Sequence, residues 1–309
     1  MSSRLKMTAR NAFWSYFSMF VSFGLQFISR TVFIYCLGEE YLGINGLFSN
    51  VLGVLSFAEL GIGTAINFCL YKPVAENNIE KIKSYMWYYK WAYRTIAVII
   101  TIIGLALIPF LNVLVKDPGN VGNIVIYYLI YLFNTVTTYF VSYKYSLVNA
   151  EQKNYIYTNV NLIISTSTII IQVIALVIWK NFLIYLLVAA IFGVFQKIFI
   201  CIYFNRLYPY LKEKNIEKLT KQEKSILITK IKALVIHKIG DVSVHQTDNI
   251  IVSAFVSTKM VGLLSNYNLF ISTVSSCINV LFNSVTGSLG NLVATESKEY
   301  QYIIFKRYR

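Results

Sequence analysis

Carboxylates are few for so basic a chain: 14 Asp and Glu stand against 28 Lys and Arg, for a formal net charge of +14. Its one long polar stretch, 205–232, holds no paired-Asp motif of the kind a membrane glycosyltransferase or polymerase needs. Cysteine is scarce too. Cys36, Cys69, Cys201 and Cys277 lie singly in apolar runs, and none forms a Cys-x-x-Cys pair. That excludes a disulfide framework or a cysteine metal site and leaves small buried core residues. No arginine-rich groove or nucleic-acid motif accompanies the basic excess, so it does not point to nucleic acid. A cleaved leader is missing as well. The first apolar stretch, Ala12–Leu37, has 26 residues, too long for a signal-peptide core, and no small-residue cleavage site follows it.

What the sequence has in quantity is hydrophobic length. With 56% hydrophobic residues and a mean hydropathy of +0.57, it does not read as a soluble domain. Eight apolar runs follow one another: Ala12–Leu37, Leu42–Leu70, Trp91–Val115, Asn123–Tyr143, Ile156–Trp179, Phe182–Phe204, Ala233–Val256 and Val261–Phe282. Each is long enough to cross a hydrocarbon core of about 30 Å at about 1.5 Å per residue. The fold class this predicts is all-α, a polytopic transmembrane bundle of about eight spans.

Positive charge is nearly absent from one side of these runs. Lys116, Lys180 and Lys259 are the only cations in the connections on that side, and Arg30, Lys197 and Lys238 lie inside runs. The other 22 of the 28 fall on the opposite side, eight of them in the 205–232 connection. Strict alternation with that bias predicts both termini in the cytoplasm of a bacterial inner-membrane protein, drawn to anionic inner-leaflet lipid.

The outer connections, Gly38–Tyr41, Lys116–Gly122, Lys180–Asn181 and Ser257–Met260, leave no room for a catalytic domain. The 205–232 connection, charged with apolar residues at Leu211, Ile216, Leu219, Ile226 and Leu227, predicts one or two surface helices along the inner interface. It divides residues 1–204, a six-helix lobe, from 233–309, two helices and a basic tail. Trp87, Tyr88, Tyr89, Trp91 and Tyr93, with Trp179 at the other end, fit interfacial aromatic belts. Pro109 predicts a kink in the third helix. Gly43, Gly46, Gly53, Gly61 and Gly63 make the second helix thin, for close packing in preference to bending during transport. An internal echo links YLGINGLFSN (41–50) to MVGLLSNYN (260–268), each opening a helix after an outer turn. With the break after six helices, it suggests that the seventh and eighth begin a second copy of the lobe.

Charges within the runs are the candidate functional residues, because a buried ion costs at least about 2.5 kcal/mol at a helix centre. Arg30 lies about seven residues from the outer end of the first run, with Glu39 and Glu40 as the nearest snorkelling partners. Glu59 sits about 15 Å deeper, so a direct ion pair with Arg30 is not expected and each faces a polar cavity. Lys197 and Lys238 lie within about two turns of the inner ends of their helices, where snorkelling accounts for them. His237, Asp241, His245 and Asp248 fall at about 0°, 40°, 80° and 20° on one helix face. That face suits a polar surface between lobes, a proton or cation coupling site, or least of all a metal site, since no second helix offers matching ligands.

The stretches EYLGINGLFSNVLGVLSFAELGIGTAI (40–66), LYKP (70–73) and TDNIIVSAFVSTKMVGLLSNYNLF (247–270) resemble bacterial polysaccharide exporters. These are the Wzx-type flippases, the polysaccharide transporter branch of the MATE/MOP flippase superfamily. The resemblance implies a two-lobed bundle with alternating access, here a first lobe plus the first two helices of a second. Its substrate is a polyprenyl-pyrophosphate-linked oligosaccharide for capsule, O-antigen or exopolysaccharide, taken without a cofactor, and a polysaccharide polymerase is a possible partner. The resemblance implies cavity cations that attract the pyrophosphate, with Arg30 the best positional match and Lys197 and Lys238 weaker ones. Family members continue past the eighth helix, so the chain is expected to be a fragment that does not transport alone. A multidrug antiporter of the same fold is the first rival. Those antiporters usually carry an acid in the first helix, and here there is none between Asn11 and Leu37.

Overall fold

The computed structural model describes residues 2–55, 59, 61–115, 121–213, 216–245 and 248–308. About 90% of the chain is helical, and no strand occurs among the described residues. The helices are α1 (Ser2–Leu37), α2 (Glu39–Leu55), α3 (Ile62–Ala75), α4 (Ile79–Ala106), α5 (Leu111–Leu114), α6 (Ile124–Ala150), α7 (Asn154–Trp179), α8 (Phe182–Leu207), α9 (Lys221–His245), α10 (Asp248–Phe255), α11 (Thr258–Thr295) and α12 (Lys298–Tyr308). The chain is an all-α polytopic membrane bundle. Among the described residues, five helical stretches are long and apolar enough to span: Ala9–Leu37, α4, α6, α7 and α8. No more than a third of each such stretch is buried, so their apolar flanks face outward, as a lipid solvent requires.

The remaining three of the eight expected spans fall outside that set, each for a local reason. The second run divides at Gly61, whose φ of +72° is a left-handed conformation that side-chain-bearing residues adopt at a cost. An ideal Cβ there would also lie 2.5 Å from Cβ of Leu234. The seventh run is joined to the connection before it. Thr220 and Glu223 form a reciprocal capping box, with the Thr220 N–H donating to Glu223 Oε2 at 2.8 Å and the Glu223 N–H to Thr220 Oγ1 at 3.2 Å. α9 therefore begins at Lys221, inside the stretch read as surface helices, and α10 is a separate short helix. The eighth run is the middle of the 38-residue α11, whose Ser, Thr and Asn content lowers its hydropathy. In the third run the helix ends before Pro109. A 3-10 turn at Ile108–Phe110 and the short α5 complete it, because proline cannot donate the next backbone bond.

Tight turns join the sequential helices into antiparallel neighbours. Asn123 and Asn181 cap α6 and α8 by accepting from the N–H groups two and three residues on, and Ser257 accepts from Met260 N–H at the start of α11. At the other end, Asn11 ties α1 to the α6–α7 turn, donating to Gln152 O at 3.1 Å and accepting from the Tyr155 N–H at 3.0 Å. Phe182 is an aromatic hub where α1, α2, α6 and α8 meet. It is buried against Phe33 of α1, Tyr41 of α2 and Tyr127 of α6, with ring centroids 5.8, 5.1 and 4.8 Å away. α11 then lies across α1, α2 and α3, while α9 packs on α3 and α10 on α2.

Two glycines, one from each segment of the internal echo, Gly43 and Gly262, meet where α2 crosses α11. An ideal Cβ on Gly43 would stand 2.0 Å from the backbone O of Thr258, and one on Gly262 would stand 2.6 Å from the backbone O of Glu39. The thin second helix is therefore used for contact between helix backbones here, and for the break at Gly61 further along.

Candidate functional site

Arg30 reaches from α1 to α11. Its Nε donates to Asn266 Oδ1 and an Nη donates to Ser265 Oγ. No carboxylate of the described residues pairs with it. The nearest acids in sequence do not serve, since Glu39 turns instead toward Lys259, at 3.7 Å. Beside the guanidinium is a pocket of about 170 Å³, lined by Gln26, Ser29, Asn45, Gln172 and Tyr185 among others. Tyr131 of α6 donates to the Asn45 side chain, and Gln172 of α7 donates to Tyr185 O at 3.1 Å. Apart from the arginine the lining is uncharged, with the polar groups set among Phe33, Leu42, Ile169 and Leu269. Five helices, α1, α2, α7, α8 and α11, converge on it.

Glu59 is held elsewhere. It sits at the break between α2 and α3, and its carboxylate accepts from the Tyr93 hydroxyl of α4. Tyr89 donates in turn to Tyr93 at 3.2 Å, and both rings are buried with Tyr139 against Tyr93. Arg30 and Glu59 thus have separate partners. Lys197 is half-buried in α8 and spends its donors on α6, at 3.0 Å to Asn134 O and 2.6 Å to Thr137 Oγ1. This departs from the expected snorkelling, because the ammonium is satisfied by neutral oxygens inside the bundle and is absent from the Arg30 pocket.

The side chains of His237, Lys238, Asp241 and His245 lie outside the described residues. Their backbone belongs to α9, but Asp248 opens α10, so the expected four-residue face is not carried by one helix among the described residues. No group of three or more His, Cys, Asp or Glu among the described residues is arranged to hold a metal.

Sequence reasoning missed Asn45, Gln172, Ser265 and Asn266. A signal for three of them was present. Gln172 interrupts the otherwise apolar second half of its run, and Ser265-Asn266 is the pair that the echo repeats. The basic end of the bundle also holds an ion-pair set that charge counting alone could not locate. Lys81 meets Glu223 at 2.9 Å, and Lys83 lies 2.7 Å from Glu80 and 2.8 Å from Glu213. The bond from Lys81, helped by the Thr220 N–H, holds the Glu223 carboxyl below its usual range.

Comparison with known proteins gives one match. A family model described as "Polysaccharide biosynthesis protein" matches residues 8–286. No curated protein and no solved structure matches the chain.

Proposed function

We propose a function on one premise: the chain belongs to the polysaccharide biosynthesis protein family. Within a polysaccharide-related transporter role, it is a flippase for polyprenyl-pyrophosphate-linked oligosaccharide in the bacterial inner membrane. It acts as a carrier and not as an enzyme, and it delivers its cargo to a polysaccharide polymerase. The observation that carries this reading is the arginine that spends its donors on two uncharged side chains of another helix. Neutral acceptors satisfy a guanidinium more weakly than a pyrophosphate does, because the anion adds Coulombic attraction and a bidentate fit to the hydrogen bonds. A pyrophosphate entering beside Arg30 therefore competes for the bonds that tie α1 to α11. The pocket of about 170 Å³ is too small for an oligosaccharide. Transport accordingly needs α1 and α11 to part, as in the alternating-access motion of inverted-repeat carriers. Glu59, Lys197 and Lys238 are secondary contacts. His237, Asp241, His245 and Asp248 are the groups assigned to ion coupling.

Deleting the gene at its own locus should abolish surface polysaccharide while lipid-linked oligosaccharide accumulates on the inner leaflet. Normal surface polysaccharide would overturn the reading. Raised drug sensitivity with normal polysaccharide would favour the antiporter.

Orientation follows from the charge bias. With the four native cysteines replaced, Lys180→Cys should react with an impermeant thiol reagent in intact cells and Glu217→Cys should not. The reverse pattern would invert the topology and place the basic connection outside.

A further inference from the structure

A second cavity has no part in the Arg30 site. Its volume is about 640 Å³, and it opens between α4, α6, α8 and the turn after α8. Lys83, Lys90, Arg94, Lys144 and Lys212 line it, with Glu213 as the one acid among the described residues. That acid is already taken, by Lys83 at 2.8 Å. Lys144 is buried, and its Nζ donates to Asn205 Oδ1 at 2.9 Å and Cys201 O at 3.4 Å, neither of them an anion. Lys90 and Arg94 have no carboxylate of the described residues within ion-pairing distance. Three cations around one cavity, with no counter-charge, repel one another and form a site for an anion.

The depth of the cavity and the character of its walls say which kind of anion. Lys90 and Arg94 bracket the start of the third apolar run, Lys144 follows the end of the fourth, and Asn205 follows the end of the sixth. All three boundaries are at the same, basic end of the bundle, at headgroup level. Trp87, Tyr143 and Phe204 supply an aromatic wall next to the cations. We propose that this cavity binds the phosphate-bearing headgroup of a membrane lipid, held by Lys90 and Arg94 with Lys144 behind them, while its chains run along the aromatic wall. No residue of this cavity lines the Arg30 pocket, so the proposal rests only on the chain lying in a membrane, not on what it transports.

The test uses the whole chain in phosphatidylcholine nanodiscs, with Trp87 as its single tryptophan and the other three replaced by phenylalanine. Brominated phosphatidylglycerol is compared with brominated phosphatidylcholine at equal mole fraction as a quencher of Trp87. One basic residue near a surface enriches an anionic lipid about five-fold, so quenching by the anionic lipid should exceed that by the zwitterionic one several-fold. Lys90→Gln with Arg94→Gln should abolish the preference. Arg94→Glu, a change at an exposed position, should abolish it too, because it leaves the three positions with the same net charge as the double variant. Lys72→Gln should leave it intact, and the circular dichroism of every variant should match the parent. Relief of quenching by a few mole per cent of unbrominated undecaprenyl pyrophosphate would support the site and name the prenyl lipid as its better occupant, and no relief would support phospholipid. Equal quenching by the two brominated lipids in the parent, or a preference that survives in the double variant, would overturn the proposal. Relief by millimolar inorganic pyrophosphate would overturn the lipid assignment and make this a site for soluble phosphate.

Discussion

Replacing Arg30 with alanine at the native locus is expected to cut surface polysaccharide by at least about ten-fold, with Arg30→Lys keeping part of the activity. Hydrogen bonds to a charged group are each worth about 1.5–3 kcal/mol, and a tenfold change needs only about 1.4 kcal/mol, so losing one substrate contact suffices. Lysine restores the charge but not the fork that grips two phosphate oxygens together, which is why the rescue should be partial. The same variant also removes the tie from α1 to Ser265 and Asn266. A second variant separates the two effects. Ser265→Ala with Asn266→Ala breaks the tie but leaves the guanidinium in the pocket, and it should keep more than half of the export. If that double variant fails as badly as Arg30→Ala at equal protein level, Arg30 is a strut between helices and the substrate contact is wrong. Full export from Arg30→Ala would dismiss both roles.

The parts of this architecture that lie within one turn or one helix were legible in the sequence. α6, α7 and α8 fall nearly where the fourth, fifth and sixth apolar runs lie, because asparagine caps close to the run ends fix where α6 and α8 start. The break in the second run was not legible as such. Hydropathy stays high through Gly61, and only the backbone reveals that this glycine is left-handed and the others are not. The start of α9 was written in the sequence as Thr-x-x-Glu at 220–223. It was passed over because its surroundings read as a charged connection, and the Lys81–Glu223 pair that reinforces it spans 142 residues. The basic cavity was beyond sequence reading for the same reason. Its cations come from α4 and α6 and its closing turn from beyond α8, and counting charge by side places all of them correctly without bringing any two together. Arg30 was found from its cost in the membrane, whereas its partners on α11 had to come from the packing.

Gly43→Val is expected to lower the melting temperature of the purified chain and to remove most of the export, with Gly262→Val doing the same. The reason is that each glycine faces backbone. A Cβ at Gly43 meets the O and C of Thr258 at 2.0 and 2.9 Å, and one at Gly262 meets the O of Glu39 at 2.6 Å and the N of Gly43 at 3.3 Å. A side chain in the way can turn aside; a helix backbone cannot, so α2 and α11 must separate. Overpacking of this kind costs about 1–3 kcal/mol. Arg30 depends on that spacing, since the Ser265 and Asn266 it binds lie one turn along α11 from Gly262. Moving α11 away from α2 therefore also reshapes the pocket that α1, α2 and α11 form around the guanidinium, which is why export should fall further than stability alone explains. Alanine distinguishes this account from a general intolerance of change. Gly43→Ala and Gly262→Ala should each do less harm than valine. Their combination should cost less than the sum of the two, because once the first methyl has parted the helices the second finds the space already open. Simple additivity of the alanine pair would mean that the two glycines do not share one crossing. Gly43→Val with parental melting and export would mean that α2 and α11 do not approach each other this closely.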